Sequence, residues 1–192
     1  LKYIGKKANK ASESLKYVSH NKIQKTLSKY IELLKKNELK IIKQNLKDLK
    51  KNKRKNLNDR LLLDKKRIHN MRKSLKEIIK FRNPVGRILS KWKRPNNLQI
   101  EKVSIPIGVI SVIYESRPNV TVDVAALCLK SGNCVILRGG SEAFNTNKIL
   151  SDLFRKALKI NRIDENCIQF IEKKNRRIVD YLLSNMRNYI DV

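Results

Sequence analysis

Two short polar loops contain the residues whose types and spacing best suit chemistry. The first, "ESRPN", ends at Asn119 and follows an apolar run that begins at Ile105. An asparagine amide at the start of a helix, beside unpaired backbone N–H groups, can stabilise a negatively charged oxygen. A plainer alternative is that Asn119 only caps the helix or forms a turn, which is the common use of asparagine at this position.

The second loop follows another apolar run and offers a place for a phosphate-bearing nucleotide. Arg138 ends the run, Gly139 and Gly140 allow close approach of the backbone, and Ser141 and Glu142 come next. The glycine pair does not match the G-x-G-x-x-G dinucleotide pattern, and after a strand it is weak evidence by itself. The alternative is an ordinary tight turn with a solvated arginine.

Three cysteines are the remaining candidates for reactive groups: Cys128, Cys134 and Cys167. Their spacing fits neither a zinc site nor a disulfide framework, so no metal site is predicted. Each has apolar neighbours, as in "ALCLK", which indicates a small buried hydrophobic residue and a reduced, cytoplasmic setting.

An α/β fold is predicted to position both loops. Continuous β-branched runs such as "GVISVIY" are typical of strands that are covered on both faces. The strands lie near 108–114, 134–138 and 167–171, with helices near 121–132, 144–158 and 175–185. This alternation predicts a Rossmann-like parallel sheet. Because ligands bind beyond the carboxyl ends of such strands, we expect both loops at one edge of the sheet.

The first part of the chain is predicted to be helical. Apolar residues recur at three- and four-residue steps from Ile23 onward, and again at Leu39, Ile42, Leu46 and Leu49. Both segments are therefore expected to be amphipathic helices.

A third helix and a hairpin are predicted next. The helix covers roughly Leu61 to Phe81 and stops before Asn83-Pro84. The segments "VGRILSKW" and "LQIEKVSI" have strand character, and "KRPNN" between them suits a turn. These patterns predict a β-hairpin near 85–104.

The composition raises one competing function. The chain has 192 residues and a formal net charge of +28, and most of the excess precedes residue 100. A basic segment of this kind suggests nucleic acid as a partner. Lysine outnumbers arginine, however, and arginines interleaved with aromatic residues are scarce, which disfavours this function. No apolar run approaches the ~20 residues of a membrane span, so a soluble protein is predicted.

A longer stretch resembles a known family. The segment "IPIGVISVIYESRPNVTVDVAALCLKSGNCVILRGGSEA" is similar to the gamma-glutamyl phosphate reductases, also called glutamate-5-semialdehyde dehydrogenases. "NDRLLL", "NPVGRIL" and "RPNNLQIEKV" resemble the same family in order. These enzymes belong to the aldehyde dehydrogenase superfamily, which implies a Rossmann-like nucleotide domain, a hairpin used in oligomerisation and a separate catalytic domain.

The resemblance implies a division of the chain. Residues 1–82 form a helical segment that packs on the nucleotide domain, 83–105 the hairpin, and 106–192 the first part of an NADP-binding α/β domain. The nucleophilic cysteine of the family lies in a threonine-cysteine-asparagine context that no cysteine of this chain has. The catalytic domain is therefore expected to be absent, so that the chain is a fragment without activity of its own.

The resemblance also implies residue roles. Asn119 corresponds to the asparagine that stabilises the oxyanion, and Arg138 to the basic residue at the adenosine ribose of the cofactor. Ser141 stands where NAD-preferring relatives often carry a glutamate, so that the loop of Arg138, Gly139, Gly140 and Ser141 is expected to prefer NADPH.

The expected reaction is the NADPH-dependent reduction of L-glutamyl 5-phosphate to L-glutamate 5-semialdehyde in proline biosynthesis, by an enzyme that is a homo-oligomer at full length. Two alternatives stay open at this point. One is a nucleotide-binding remnant without chemistry, and the other is a basic protein associated with nucleic acid.

Overall fold

Five helices make up the first part of the protein. The computed structural model describes residues 1–173, 175 and 177–192. The helices are α1 (Lys2–Leu15), α2 (His20–Lys36), α3 (Glu38–Lys51), α4 (Asn58–Leu61) and α5 (Lys65–Lys80). The predicted helix from Leu61 to Phe81 is therefore interrupted. Asp64 ends the interruption, because its side chain accepts a hydrogen bond from the backbone N–H of Arg67 (2.7 Å) and caps α5.

A two-stranded antiparallel hairpin follows. It consists of β1 (Ile88–Lys93) and β2 (Gln99–Val103). Trp92 lies opposite Ile100 on one face, and Lys91 lies opposite Glu101 on the other, with an ion pair of 2.6 Å. Nearly all of its side chains are exposed, so the hairpin projects from the rest of the chain.

The remaining residues build the predicted parallel sheet. Its strands are β3 (Val109–Tyr114), β4 (Cys134–Gly139) and β5 (Ile168–Phe170), in the order β3-β4-β5. The helices α6 (Pro118–Lys130) and α7 (Phe144–Ile160) connect them, and α8 (Arg177–Asn185) follows β5. The α/β fold class is confirmed. The predicted start of the last helix includes residue 176, which lies outside the described residues.

The last residues of the chain lie along the free side of β3. The backbone N–H of Ser111 donates to the carbonyl of Val192 (2.6 Å), and the N–H of Val192 donates to the carbonyl of Val109 (3.4 Å). This is the pattern of parallel pairing. The chain thus builds outward from β3 to β5 and then returns to the other side of β3, which places a topological switch point beside β3.

Burial differs from the prediction in two elements. All six residues of β4 are buried, but in β3 only Val109 is, and Ile113 is 43% exposed. A β-branched run looks the same in a central strand and in a strand with fewer neighbours, so the prediction of two covered faces was wrong for β3.

The second difference is in α3. Leu39 is 74% exposed, whereas Ile41, Asn45 and Asp48 form the buried face. The apolar stripe of this helix is therefore not the face that packs on the rest of the chain.

Candidate functional site

Asn119 lies in the first turn of α6, where the first loop meets the helix. Ser116 has a left-handed backbone (φ 44°), which turns the chain after β3, and Pro118 is the first helical residue. The N-cap position is Arg117, and its side chain makes no capping hydrogen bond. Asn119 is therefore not the N-cap but the second residue of the helix, in its first turn. Its side-chain Nδ2 donates to Oδ2 of Asp123 one turn later, at 3.4 Å.

A cavity of about 420 Å³ opens beside Asn119. It lies between α6 and the segment formed by α4 and α5. Its lining residues are Asp59, Arg60, Leu62, Leu63, Arg67, Asn70, Met71, Ser74, Arg117, Asn119 and Asp123. The size is in the range of small-molecule sites, and the polar lining suits a charged ligand.

The arginines of this cavity have two different roles. Arg67 forms an ion pair with Asp59 (2.5 Å) and donates to the carbonyl of Leu62 (3.1 Å), which fixes the turn between α4 and α5. Among the described residues, Arg60 and Arg117 have neither an ion pair nor a hydrogen bond from their side chains. These two guanidinium groups are available to an anionic ligand.

Asp123 is a partly buried carboxylate that lines the same cavity. Burial raises the pKa of Asp123, and the hydrogen bond from Asn119 acts in the opposite direction. Its Oδ1 is buried and has no hydrogen-bond partner among the described residues. One N–H of Asn119 is thus held by a carboxylate, which orients the amide and leaves its second N–H for a ligand.

The second loop lies at the carboxyl end of β4, but its arginine is not in solvent. Arg138 is 7% exposed, and its guanidinium donates to the carbonyl of Gly139. The loop continues through Gly140 and a short 3₁₀ turn over Ser141–Ala143 into α7. The alternative of a solvated arginine was wrong, because Arg138 packs inside the sheet edge.

The glycine pair lies where the ends of β3 and β4 come close, and a Cβ at either glycine would meet a neighbouring side chain. A Cβ at Gly139 would lie 2.3 Å from Nδ2 of Asn147 and 3.1 Å from the ring of Tyr114. A Cβ at Gly140 would lie 2.5 Å from the Glu142 carboxylate and 3.4 Å from the backbone nitrogen of Ser116. The structure therefore brings the ends of β3 and β4 together, as predicted for this edge of the sheet.

Buried polar side chains lie under this junction. The hydroxyl of Tyr114 shares a hydrogen bond with Thr121 (2.6 Å), whose Oγ1 is 3.1 Å from Oδ1 of Asn147. Burial raises the pKa of Tyr114 to about 12, while Thr121 and the charge of Arg138 act against the shift. Oγ of Ser116 and Nδ2 of Asn147 are buried with no hydrogen-bond partner in the described chain.

Sequence reasoning missed the residue that holds the start of α7. Oδ1 of Asp48 accepts hydrogen bonds from the backbone N–H (3.2 Å) and Nδ2 (2.7 Å) of Asn145. Its Oδ2 accepts from the backbone N–H (2.8 Å) and the hydroxyl (2.6 Å) of Thr146. A carboxylate supplied by α3 thus caps a helix that lies 97 residues further along the chain. No local sequence pattern predicts a cap from a residue this far away in the chain.

The three cysteines are buried and free, as predicted. Burial raises the pKa of Cys128 to about 11. A hydrogen bond with Cys167, together with burial, raises the pKa of Cys134 strongly. Such thiols remain protonated at neutral pH and are poor nucleophiles. Among the described residues, no group of three or more His, Cys, Asp or Glu side chains is placed to hold a metal ion.

Comparison with known proteins decides the family. A sequence profile of the aldehyde dehydrogenase family matches residues 1–189. The chain belongs to the aldehyde dehydrogenase family. Enzymes of this family use a nicotinamide cofactor and are typically oligomeric. Among the described residues, no helix is both long and apolar enough to cross a bilayer.

Individual relatives narrow the resemblance. The chain is 48% identical over 192 residues to the gamma-glutamyl phosphate reductase of Clostridium tetani, an alignment that covers 98% of this chain and 45% of that protein. It is 44% identical over 194 residues to the enzyme of the same name from Halothermothrix orenii, with 99% and 46% covered. The chain spans about half the length of these curated relatives. The predicted resemblance is confirmed, and nucleic-acid binding is not favoured.

Solved structures agree with this aldehyde dehydrogenase fold. The gamma-glutamyl phosphate reductase of Thermotoga maritima matches with a TM-score of 0.94 at 38% identity, over 98% of this chain and 46% of that one. The Saccharomyces cerevisiae reductase matches with a TM-score of 0.88 at 29% identity, over 98% and 49%. A probable aldehyde dehydrogenase of Listeria monocytogenes, at 14% identity and a TM-score of 0.73, shares the fold.

Proposed function

We propose that the chain is the nucleotide-binding part of a cytoplasmic gamma-glutamyl phosphate reductase. The proposed reaction is the NADPH-dependent reduction of L-glutamyl 5-phosphate to L-glutamate 5-semialdehyde, with release of phosphate. The observation that carries this proposal is the position of Asn119. Its amide lies in a polar cavity, oriented by Asp123 and accompanied by Arg60 and Arg117, which have no ion-pair partner among the described residues.

In the proposed reaction, this cavity receives the substrate. The unpaired N–H of Asn119 donates to the acyl oxygen when that oxygen becomes negatively charged, which is worth about 10²-fold or more in rate for a single donor of this type. Arg60 and Arg117 line the same cavity and suit the phosphate and carboxylate groups of the substrate. The thiol that attacks the acyl phosphate is not among the three buried cysteines.

The sheet edge suits the cofactor. The switch point beside β3 is where dinucleotides bind in sheets of this order. Oγ of Ser116 and Nδ2 of Asn147 are buried at this junction, without a hydrogen-bond partner among the described residues. Nicotinamide cofactors supply the hydride in reactions of this family. We place the adenosine ribose at Ser141, with Arg138, Gly139 and Gly140 shaping the loop from inside.

A chimera tests the proposal. Residues 1–192 replace the matching half of the Clostridium tetani reductase, and NADPH oxidation is followed with enzymatically generated glutamyl phosphate. We expect turnover, and we expect Asn119→Ala to lower kcat by about 10²-fold because an oxyanion donor is lost. Asn21→Ala, at an exposed position of α2, is the matched control.

Two results would count against the proposal. One is a folded chimera without turnover. The other is an Asn119→Ala chimera that keeps the kcat of the Asn21→Ala control, since Asn119 would then do no more than hold the first turn of α6.

A further inference from the structure

A second cavity lies against the loop that contains Ser141. Its volume is about 270 Å³, and it separates the end of α3 and the residues after it from the start of α7. Its lining residues are Asp48, Lys51, Asn52, Lys53, Arg54, Ser141, Glu142 and Asn145. Three cations from one short segment, Lys51–Arg54, therefore face the loop at which the adenosine ribose is proposed to bind.

The two carboxylates of this cavity are already engaged. Asp48 accepts four hydrogen bonds from the start of α7. The Glu142 carboxylate lies 3.8 Å from the Arg54 guanidinium, and its side chain is only 20% exposed. Lys51 and Lys53 have no ion pair or side-chain hydrogen bond among the described residues. The cavity consequently has a net positive charge. Because Arg54 offsets the charge of Glu142, this carboxylate does not prevent an anion from binding.

The segment that supplies the cations has a defined conformation. The Asn52 side chain accepts a hydrogen bond from the backbone N–H of Arg54 (3.1 Å) and donates to its carbonyl (2.8 Å). The same amide also donates to Oδ1 of Asn58 (2.9 Å). A loop that is ordered before binding loses less entropy when it takes up a ligand.

Arg138 does not meet the need for an exposed cation at this place, because it is buried inside the sheet edge. We propose that Lys51 and Lys53 bind the phosphate monoester on the 2′ position of the NADPH ribose, and that Arg54 assists by neutralising Glu142. This inference rests on the proposed function. In this proposal, the preference for NADPH over NADH is determined by a segment of the helical part of the chain and not by the loop after β4.

The test measures binding by calorimetry to the 192-residue chain, with adenosine 2′,5′-bisphosphate and 5′-AMP as probes. The two ligands differ only in the 2′-phosphate. We expect the bisphosphate to bind at least tenfold more tightly than 5′-AMP, since phosphate contacts with cations are charge-assisted. The double substitution Lys51→Gln and Lys53→Gln should remove most of this difference and leave 5′-AMP binding unchanged.

A matched control distinguishes a specific phosphate site from general electrostatic attraction by the net positive charge of the chain. Lys47→Gln with Lys50→Gln removes the same amount of charge from the last turns of α3, at exposed positions outside the cavity. We expect this control to keep the preference for the bisphosphate. Equal losses in the two double variants would overturn the inference, because the lysines would then act only through net charge.

The remaining outcomes distinguish this inference from the proposed function. If the unsubstituted chain binds both ligands equally, the phosphate site is wrong and the nucleotide site stands. If it binds neither ligand, both are wrong. As a second variant, Ser141→Glu places a carboxylate in the cavity, and we expect it to weaken binding of the bisphosphate more than of 5′-AMP. An equal effect on both ligands would contradict the inference.

Discussion

At the scale of single residues, the central feature is an asparagine whose amide is oriented by a partly buried carboxylate. Asp123 accepts one N–H of Asn119 and keeps a second oxygen buried without a partner. Burial disfavours the charged form of a carboxyl group, so its pKa is raised and its charge destabilises the folded state. A residue that costs stability inside a polar cavity is typical of a functional site.

This cost predicts a pH-dependent effect of Asp123→Asn. The folded chain holds the Asp123 proton to higher pH than the unfolded chain does, because burial raises the pKa. The penalty is therefore full above the folded pKa and vanishes below the unfolded value of about 3.9. The isosteric amide should raise the free energy of unfolding at pH 8, and the gain should shrink as the pH falls through the raised pKa of Asp123.

Urea unfolding at several pH values measures this gain. Asp180→Asn, at an exposed position of α8, should show none. A gain for Asp123→Asn that does not change with pH, or a loss at pH 8, would show that the Asp123 charge is not penalised by the fold.

At the scale of elements, a contact between α3 and α7 positions the second loop. Asp48 caps α7 directly after the 3₁₀ turn that begins at Ser141, so the start of this helix and the loop before it are held by α3. Asn45 donates to Oγ1 of Thr146 in α7 (3.3 Å) and also joins α3 to the turn between α4 and α5, because it donates to the carbonyl of Leu61 (2.7 Å) and accepts from the backbone N–H of Leu63 (2.7 Å). The polar residues Asn45 and Asp48 are buried on α3 because their partners are backbone and side-chain polar groups of neighbouring elements.

Asp48→Ala should accordingly destabilise the protein. The change leaves four donors of Asn145 and Thr146 without their acceptor, and we expect a loss of about 2–4 kcal/mol in the free energy of unfolding. Asp180→Ala is the control, and we expect a change of about 0.5 kcal/mol or less at that surface position. Urea unfolding measures both. Equal stabilities of the two variants would show that solvent satisfies the start of α7.

The hairpin is the second element with a predicted role. A two-stranded hairpin is marginally stable alone, and one face of β1 and β2 carries Trp92 and Ile100 with Trp92 44% exposed. We propose that a second copy covers this face in the full-length enzyme. In the chimera, Trp92→Glu should yield smaller species by sedimentation velocity, because it places a charge in the covered face.

Lys93→Glu is the matched control, since Lys93 lies on the opposite face of β1. It should leave the sedimentation coefficient unchanged. An assembly that survives Trp92→Glu would exclude this face as the contact between copies.

At the scale of the whole molecule, the parts predicted well are those with local patterns. The switch from helical periodicity to β-branched runs near Pro106 located the strands, whereas α6 begins at Pro118, three residues before the predicted start. The polar face of α3 and the cavity at Lys51–Arg54 were not predictable, because they depend on residues that lie about 90 or more positions away. The break at Asp64 was missed because the apolar pattern continues across it.

The charge of the molecule follows the same division. Its net charge of +28 resides mainly in the helical part, where most lysines are exposed. A broad basic surface of this kind attracts anions without selectivity. The proposed phosphate site therefore depends on the position of Lys51 and Lys53 in a cavity and not on the net charge of the chain.

The most direct test of the account compares the 192-residue chain with the chimera in the reverse reaction, with the semialdehyde, phosphate and NADP as reactants. We expect no NADPH formation above background by the chain alone, because its three thiols are buried and the pKa values of Cys128 and Cys134 are raised, and we expect measurable formation by the chimera. Turnover by the chain comparable to that of the chimera would contradict the account, and would make Cys128, Cys134 or Cys167 the nucleophile.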